Sequence, residues 1–428
     1  MRILVEPSGY PSPLRNVGDI AMQQTALARL AQRWPSSRID VLTDNPEQFP
    51  FYAANVKPLS TLGRRLWLFG MLRNRRVPER LQRLESNLLQ ANPEVRRFLS
   101  NFRLRALPSH LAREVKSFLE STRNADVLVV CGMGGVADVF DLYALDLLDS
   151  IKLVKQNGKS IVLMLGQAFG PIAEDGVLFK SARAIMPTVD LVGLRESRAS
   201  APLLQRLGVD SSRIVSTGDD ALEVAVHNRS ADLGTGIAVN IRVAPYSAVT
   251  LKHVELLAVS MQRFTSSKSI PLLPLPCSAY IEEDDAAFIR VIAGGSAKIT
   301  NPGNVTPESM IAQLHQCRIA VLGSYHAAVF ALAQGVPVIG LYRSAYYRDK
   351  FMGLAHLFGS GVIPIDLSEP DWPVILESRL LDAWNNAPVL RPQLQSIADE
   401  HLRKGRNAFQ DACRMVEGRF LRNEALLS

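Results

Sequence analysis

The side chains best suited to chemistry on a bound anion stand just behind stretches that read as buried β-strands. His326 sits in a 24-residue run, Ile319 to Tyr342, that holds no Asp, Glu, Lys or Arg. An imidazole near a helix N-terminus is held neutral and can serve as acid or base at physiological pH; in an ordinary core the same residue would only hydrogen-bond to backbone. Arg195 follows the strand-like Leu191–Leu194 and opens RESRAS. Read as the first turn of a helix, it is a cation set against the dipole, either to meet an anionic ligand or to pair with Asp219 or Asp220. Arg242 holds the equivalent place after Ile237–Ile241, where two N–H groups can grip a carboxylate or phosphate. Arg343, Arg348 and Lys350 follow Val336–Leu341 and are either further cations or a solvated face.

Three loops carry the remaining candidates. Asn16 and Asp19 bracket Gly18 at the start of a helix, whose free N–H groups favour an anion, although the pair could equally be caps. GMGG, Gly132 to Gly135, could bring backbone N–H groups at Gly134 and Gly135 to a phosphate; a tight turn needs the same glycines, and the lysine of a Walker loop is missing. GQAFGPI, Gly166 to Ile172, adds Gln167. All three follow strands, so they converge on one sheet edge. EEDD, Glu282 to Asp285, reads as a helix start, and with no HExxH-like spacing no metal is expected.

These residues must be positioned by two series of alternating strands and helices. The first has strands at Met1–Val5, Ile39–Leu42, Ala125–Val130, Ser160–Leu165, Leu191–Leu194 and Ile214–Ser216, with helices at Asn16–Trp34, Leu111–Leu119, Leu142–Lys155, Val177–Ile185 and Arg195–Leu207. A polar, glycine-rich stretch, Asn228 to Gly236, reads as a linker. The second has strands at Ile237–Ile241, Ile270–Leu275, Ala297–Ile299, Ile319–Leu322, Val336–Leu341 and a sixth at Val362–Ile365. A membrane span needs roughly 20 predominantly apolar residues, a length that Ile319–Tyr342 reaches, but Gly323, Ser324 and Gly335 punctuate it as strand, helix, strand. The fold class is therefore α/β. Two doubly wound Rossmann-like domains, 1–230 and 231–388, face each other across a cleft, and a helical tail, 389–428, braces them.

At 428 residues, 47% hydrophobic and 21% charged, the chain has the composition of a soluble globular protein, and its four scattered cysteines suggest neither disulfides nor zinc. With too short an apolar N-terminus for a signal peptide, a cytoplasmic location is expected. The net charge of +7 is concentrated in a helical insertion at about 60–106: residues 63–105 hold eleven arginines against three glutamates and no lysine. Interleaved with Leu66, Trp67, Leu68 and Phe69, these arginines either cover apolar surface with wet heads or dock on an anionic membrane or partner enzyme, which would make the protein peripheral at the inner face of the membrane. Nucleic acid is not expected as a partner.

The order NVGD, GMGG, GQAFGPI, LRESRAS, GDDAL and GSYHAAVFALAQGVPVIGLY followed by Lys350 resembles the polysaccharide pyruvyl transferase family, over residues 16 to about 350. The resemblance implies a GT-B-like pair of domains and transfer of the enolpyruvyl carbons of phosphoenolpyruvate to two sugar hydroxyls as a ketal, with phosphate released. It needs no cofactor beyond phosphoenolpyruvate as co-substrate, and the sugar would belong to a lipid-linked or nucleotide-linked precursor of a surface polysaccharide. It also implies that His326 is the acid or acid/base shuttle, with Arg195, Ser324 and Lys350 at the donor. Ser324 stands where several members carry arginine. Arg242 joins them by position alone, and Asn16, Asp19, Gly134, Gly135 and Gln167 are expected to contact the acceptor or line the loops. The alternatives are a nucleotide-sugar glycosyltransferase with the same cleft, and a catalytically silent scaffold acting through the insertion.

Overall fold

The computed structural model describes residues 1–8, 16–50, 52–68, 78, 80, 81, 84, 107–227, 229–266, 268–280, 283, 285–294 and 299–427. Its first sheet has seven parallel strands: β1 (Arg2–Glu6), β2 (Arg38–Thr43), β3 (Val56–Ser60), β4 (Val127–Val130), β5 (Ile161–Gln167), β6 (Leu191–Leu194) and β7 (Ile214–Ser216). They lie in the order β3-β2-β1-β4-β5-β6-β7. Strands β4, β5 and β6 are buried along their whole length, as Val/Leu/Ile runs covered on both faces must be. The cover comes from α1 (Val17–Arg33), α2 (Leu62–Leu68), α3 (Ser109–Arg123), α4 (Asp141–Lys155), α5 (Val177–Ile185), α6 (Ser200–Arg206) and α7 (Leu222–His227). The edge strand β3, VKPLS, was not expected. Its Lys57 and Pro58 spoil the strand pattern, yet an edge tolerates a proline because no ladder bond is lost on the open side.

The second sheet is again all parallel: β8 (Gly236–Asn240), β9 (Leu272–Pro274), β10 (Cys317–Leu322), β11 (Val338–Tyr342) and β12 (Val362–Asp366), ordered β12-β11-β10-β8-β9. Its helices are α8 (Leu251–Ser266), α9 (Asp285–Ala293), α10 (Pro307–Leu314), α11 (Tyr325–Ala333), α12 (Ala345–Phe358) and α13 (Trp372–Leu427). Of the strand expected at Ala297–Ile299, residues 297 and 298 lie outside the described residues and Ile299 is in no strand. The uncharged run folds as β10, α11 and β11, buried almost throughout. Among the described residues no helix is long and apolar enough to cross a membrane.

The strand order reverses between β1 and β4 in one sheet and between β8 and β10 in the other. Loops diverge at such points and leave a crevice at the carboxyl ends of the strands, so the two domains open their crevices toward each other. Beneath the cleft one continuous apolar core includes Val17, Ala21 and Met22 from the first domain with Tyr325, Ala328 and Phe330 from the second. Helix α13 ties the arrangement together. Its Leu376, Leu380, Ala383 and Ala387 join the core of the second sheet, and Ala412 and Val416 join that of the first. It starts well before the expected tail, because Pro388 and Pro392 do not break it. Pro388 leaves the carbonyl of Trp384 without its helical donor, and Arg318 Nε fills the place at 2.9 Å with its guanidinium over the Trp384 ring.

The arginine-rich insertion begins differently from expectation. Arg64, on α2, is buried and donates to Glu6 at the end of β1 at 2.6 Å, and Arg65 pairs with Asp44. Arg64 thus belongs to the first domain's core, whereas Arg65 stays exposed while it pairs. Residues 69–77 and 85–106 lie outside the described residues, and the expected membrane or partner contact lies there with them.

Candidate active site

His326 is the second residue of α11, and two glycines make its place possible. A Cβ at Gly323 would lie 2.6 Å from the Arg242 amide nitrogen, so glycine lets the loop after β10 press against the loop after β8. A Cβ at Gly18 would lie 1.9 Å from His326 Cγ and 2.1 Å from Nδ1, so the imidazole rests flush against the first turn of α1. The ring thus stands where the two crevices meet. Ser324 occupies the N-cap position without capping; its hydroxyl sits against the buried Cys277 thiol. Asn16 does cap α1, accepting from Gly18 N at 3.0 Å, and bridges to Ser278 of the second domain.

Around the imidazole the charges are arranged in layers. Arg195, 1% exposed, donates from Nη1 to Asp219 Oδ2 at 3.3 Å and lies 3.4 Å from His326 Nε2, with its guanidinium 4.5 Å over the Tyr325 ring. Asp219 is itself 3.7 Å from His326 Nε2 and is fixed by the Ala221 amide at 2.8 Å. Burial, then Arg195, Lys350 and Arg242, hold the His326 pKa well below its usual value, so the ring is neutral at physiological pH. Burial raises Asp219, with Arg195 opposing it. The buried Tyr325 hydroxyl points toward Asp219 without making a hydrogen bond of good geometry.

The cleft has one cation that makes no direct ion pair among the described residues. Lys350 Nζ lies 4.0 Å from the Tyr346 ring centroid and also faces the rings of Tyr325 and Tyr347, and burial followed by Arg195 depresses its pKa well below the usual value. Gly134 marks the point shared by the two domains' cations: a Cβ there would be 3.0 Å from Arg195 Nη2, 3.1 Å from the Tyr346 hydroxyl and 3.4 Å from Lys350 Cε. Tyr346 donates to the Gly134 carbonyl at 3.0 Å and so clasps the domains together. Arg242 is engaged elsewhere, held by Glu283 at 2.5 Å and Asp285 at 3.3 Å.

Several expectations need correction. Arg195 is not in a helix, because α6 starts only at Ser200; the intervening Glu196 caps it, accepting from the amides of Ala199 and Ser200. Arg195 therefore opposes no dipole and is instead a loop residue stacked on Tyr325. Gly135 faces away from the cleft, its missing Cβ leaving room for Tyr143. Gln167 is buried, and its Nε2 donates to the carbonyls of Val130, Cys131 and Leu165, tying strand ends together. The acidic run does more than start a helix: Glu283 and Asp285 neutralise Arg242, and Glu282 and Asp284 lie outside the described residues. The pairing of Arg195 with Asp219, expected as one of two alternatives, is present; Gly18 and Tyr346 were not given a role from sequence.

Comparison with known proteins gives the family and the fold. A family model described as polysaccharide pyruvyl transferase matches residues 16–345. No curated protein matches the chain. Among solved structures, Anabaena Alr3699/HepE in complex with UDP is similar with a TM-score of 0.56 at 10% identity, covering 97% of this chain and 99% of that one. A UDP-glucosyltransferase from Polygonum tinctorium has a TM-score of 0.53 at 11% identity, covering 97% and 98%. The UDP-GlcNAc 2-epimerase from Neisseria meningitidis bound to UDP-GlcNAc has 0.51 at 10%, covering 94% and 99%. At such identities the likeness is one of fold, the two-domain GT-B arrangement.

Proposed function

The chain belongs to the polysaccharide pyruvyl transferase family, and from that premise we propose that it moves the pyruvyl group of phosphoenolpyruvate onto two hydroxyls of a sugar, as a ketal, releasing phosphate. The acceptor is a sugar of a surface polysaccharide or of its precursor. The observation that carries this reading is the convergence of Arg195 and Lys350, from the two domains, at Gly134, with the neutral His326 3.4 Å from Arg195. Phosphoenolpyruvate has a carboxylate and a phosphate within a few bonds of each other, and a bound anion needs cations that are not already neutralised. Lys350 makes no ion pair among the described residues, with Asp19 and Glu283 acting on it only through space, and Arg195 Nη2 lies beside Gly134, so both are available to the donor.

His326 supplies the acid–base function. As a neutral imidazole it can take the proton of an attacking sugar hydroxyl, and the imidazolium so formed is met by Asp219 at 3.7 Å. The Arg195–Asp219 pair fixes both groups on one side of the ring, which is the positioning such a transfer requires.

Thermal shift tests the donor, since a ligand that binds only the native state raises its melting temperature. Phosphoenolpyruvate is expected to stabilise the protein, and a panel of UDP-, GDP- and dTDP-sugars to leave it unchanged. Stabilisation by a nucleotide sugar alone would replace this reading with a glycosyltransferase.

A further inference from the structure

Ketal formation needs a base for the hydroxyl and an acid for the methylene carbon, and a neutral His326 can begin only as the base. The other acids of the cleft are engaged. Asp219 is held by Arg195 and the Ala221 amide, Asp220 by Arg29, Glu283 by Arg242 and the Tyr246 hydroxyl, and Asp285 by Arg242, Asn240 and the amides of Cys277 and Ser278. Asp19 differs. It follows Gly18, the residue on which the His326 ring rests, and stands half-buried in the first turn of α1. Only desolvation and through-space charge act on its carboxyl, with no hydrogen bond among the described residues. The groups facing it are Arg195 and, across the cleft, Tyr346, Lys350, Arg242, Glu283 and Cys277.

We propose, resting on the donor assignment above, that Asp19 is the proton donor to the methylene carbon of phosphoenolpyruvate and that His326 is the base for the attacking hydroxyl. Burial, opposed by Arg195, lifts Asp19 to about 7 while His326 is pushed down, so the carboxyl is available protonated and the imidazole unprotonated. As the first hydroxyl oxygen bonds to C2, its proton passes to His326 and the Asp19 proton passes to C3, turning methylene into methyl. The second hydroxyl then replaces phosphate at C2, and the bond to the bridging oxygen breaks with its electron pair leaving on phosphate. The second hydroxyl's proton restores Asp19, and the proton on His326 leaves with phosphate.

The test compares wild type, Asp19→Asn and Asp19→Glu in two measurements between pH 5.5 and 8.5. In the first, phosphate release from phosphoenolpyruvate is followed with a panel of p-nitrophenyl glycosides. The wild-type kcat/KM should fall on the alkaline side with an apparent pKa near 7. Asp19→Asn should lose about 10²–10⁴-fold together with that limb, whereas Asp19→Glu keeps a limb. In the second, which needs no acceptor, the stabilisation given by phosphoenolpyruvate should weaken above pH 7 in wild type, as a carboxylate appears beside the anion, and stay level in Asp19→Asn. A wild-type response reproduced by Asp19→Asn at every pH overturns this assignment and leaves the donor reading standing. A protein that phosphoenolpyruvate stabilises at no pH overturns both.

Discussion

The contact between Gly18 and His326 gives the sharpest prediction. In Gly18→Ala the new methyl would sit 1.9 Å from Cγ, 2.1 Å from Nδ1 and 2.3 Å from Cβ of His326. Carbon atoms in ordinary contact are about 3.5–4.0 Å apart, so the imidazole or the first turn of α1 must retreat by roughly 1.5–2 Å. A rotamer change can move Cγ and Nδ1 but not Cβ, which the backbone fixes, so it cannot relieve the whole clash. Overpacking of this kind costs about 1–3 kcal/mol. Helix propensity works the other way, favouring Ala over Gly by about 0.5–1 kcal/mol in a helix interior. The net expectation is a destabilisation of about 1–2 kcal/mol in urea titration, together with a loss of at least about 10²-fold in phosphate release, the usual consequence of misplacing a reacting group by an ångström. A Gly18→Ala protein that is as stable as wild type and keeps its rate would refute the claim that this glycine exists to admit the imidazole.

Three further outcomes follow from the same geometry. Gly134→Ala puts a methyl between Arg195 Nη2 and Lys350 and should raise KM for phosphoenolpyruvate about tenfold or more with little change in melting temperature. Arg64→Met leaves Glu6 buried without its partner and should cost about 3–5 kcal/mol in urea titration, and Glu6→Gln made in the same background should recover part of it. Asp19→Asn should be stabilising, but only at high pH. The folded-state pKa is raised from 3.8 to about 7, so the acid's cost grows as pH rises between those values and is complete above the upper one. At about 1.4 kcal/mol per unit the ceiling is roughly 4 kcal/mol; partial hydration reduces it to about 1–2 kcal/mol at pH 8, vanishing near pH 4.

How far the sequence could be read depended on whether a feature was local or required the second domain. The alternation of Val/Ile/Leu strands with amphipathic helices is a local signal, and it was enough to expect two doubly wound domains and to reject a membrane span at Ile319–Tyr342. The strand-end rule then brought His326, Arg195, Arg242 and Lys350 to one cleft. The roles of individual residues were harder to see. Gly18 looked like part of a helix start, because its purpose is set by a ring more than 300 positions away. Gln167 looked like a ligand residue because its loop follows a strand, but its amide is consumed by three carbonyls. Arg242 and Glu283 each suggested a different function until their ion pair was visible. The tail expected from 389 is part of a helix that already runs through Pro388, with Arg318 donating to the carbonyl that the proline leaves open.

The central claim is that this cleft carries out pyruvyl transfer with His326 as its acid–base group. Incubating the protein with phosphoenolpyruvate and a panel of glycosides and polysaccharide precursors, and measuring phosphate together with product mass, tests it most directly. The account predicts stoichiometric phosphate and a pyruvate ketal on one acceptor, both abolished in His326→Ala, while phosphoenolpyruvate still raises that variant's melting temperature. A ketal formed at full rate by His326→Ala would contradict it.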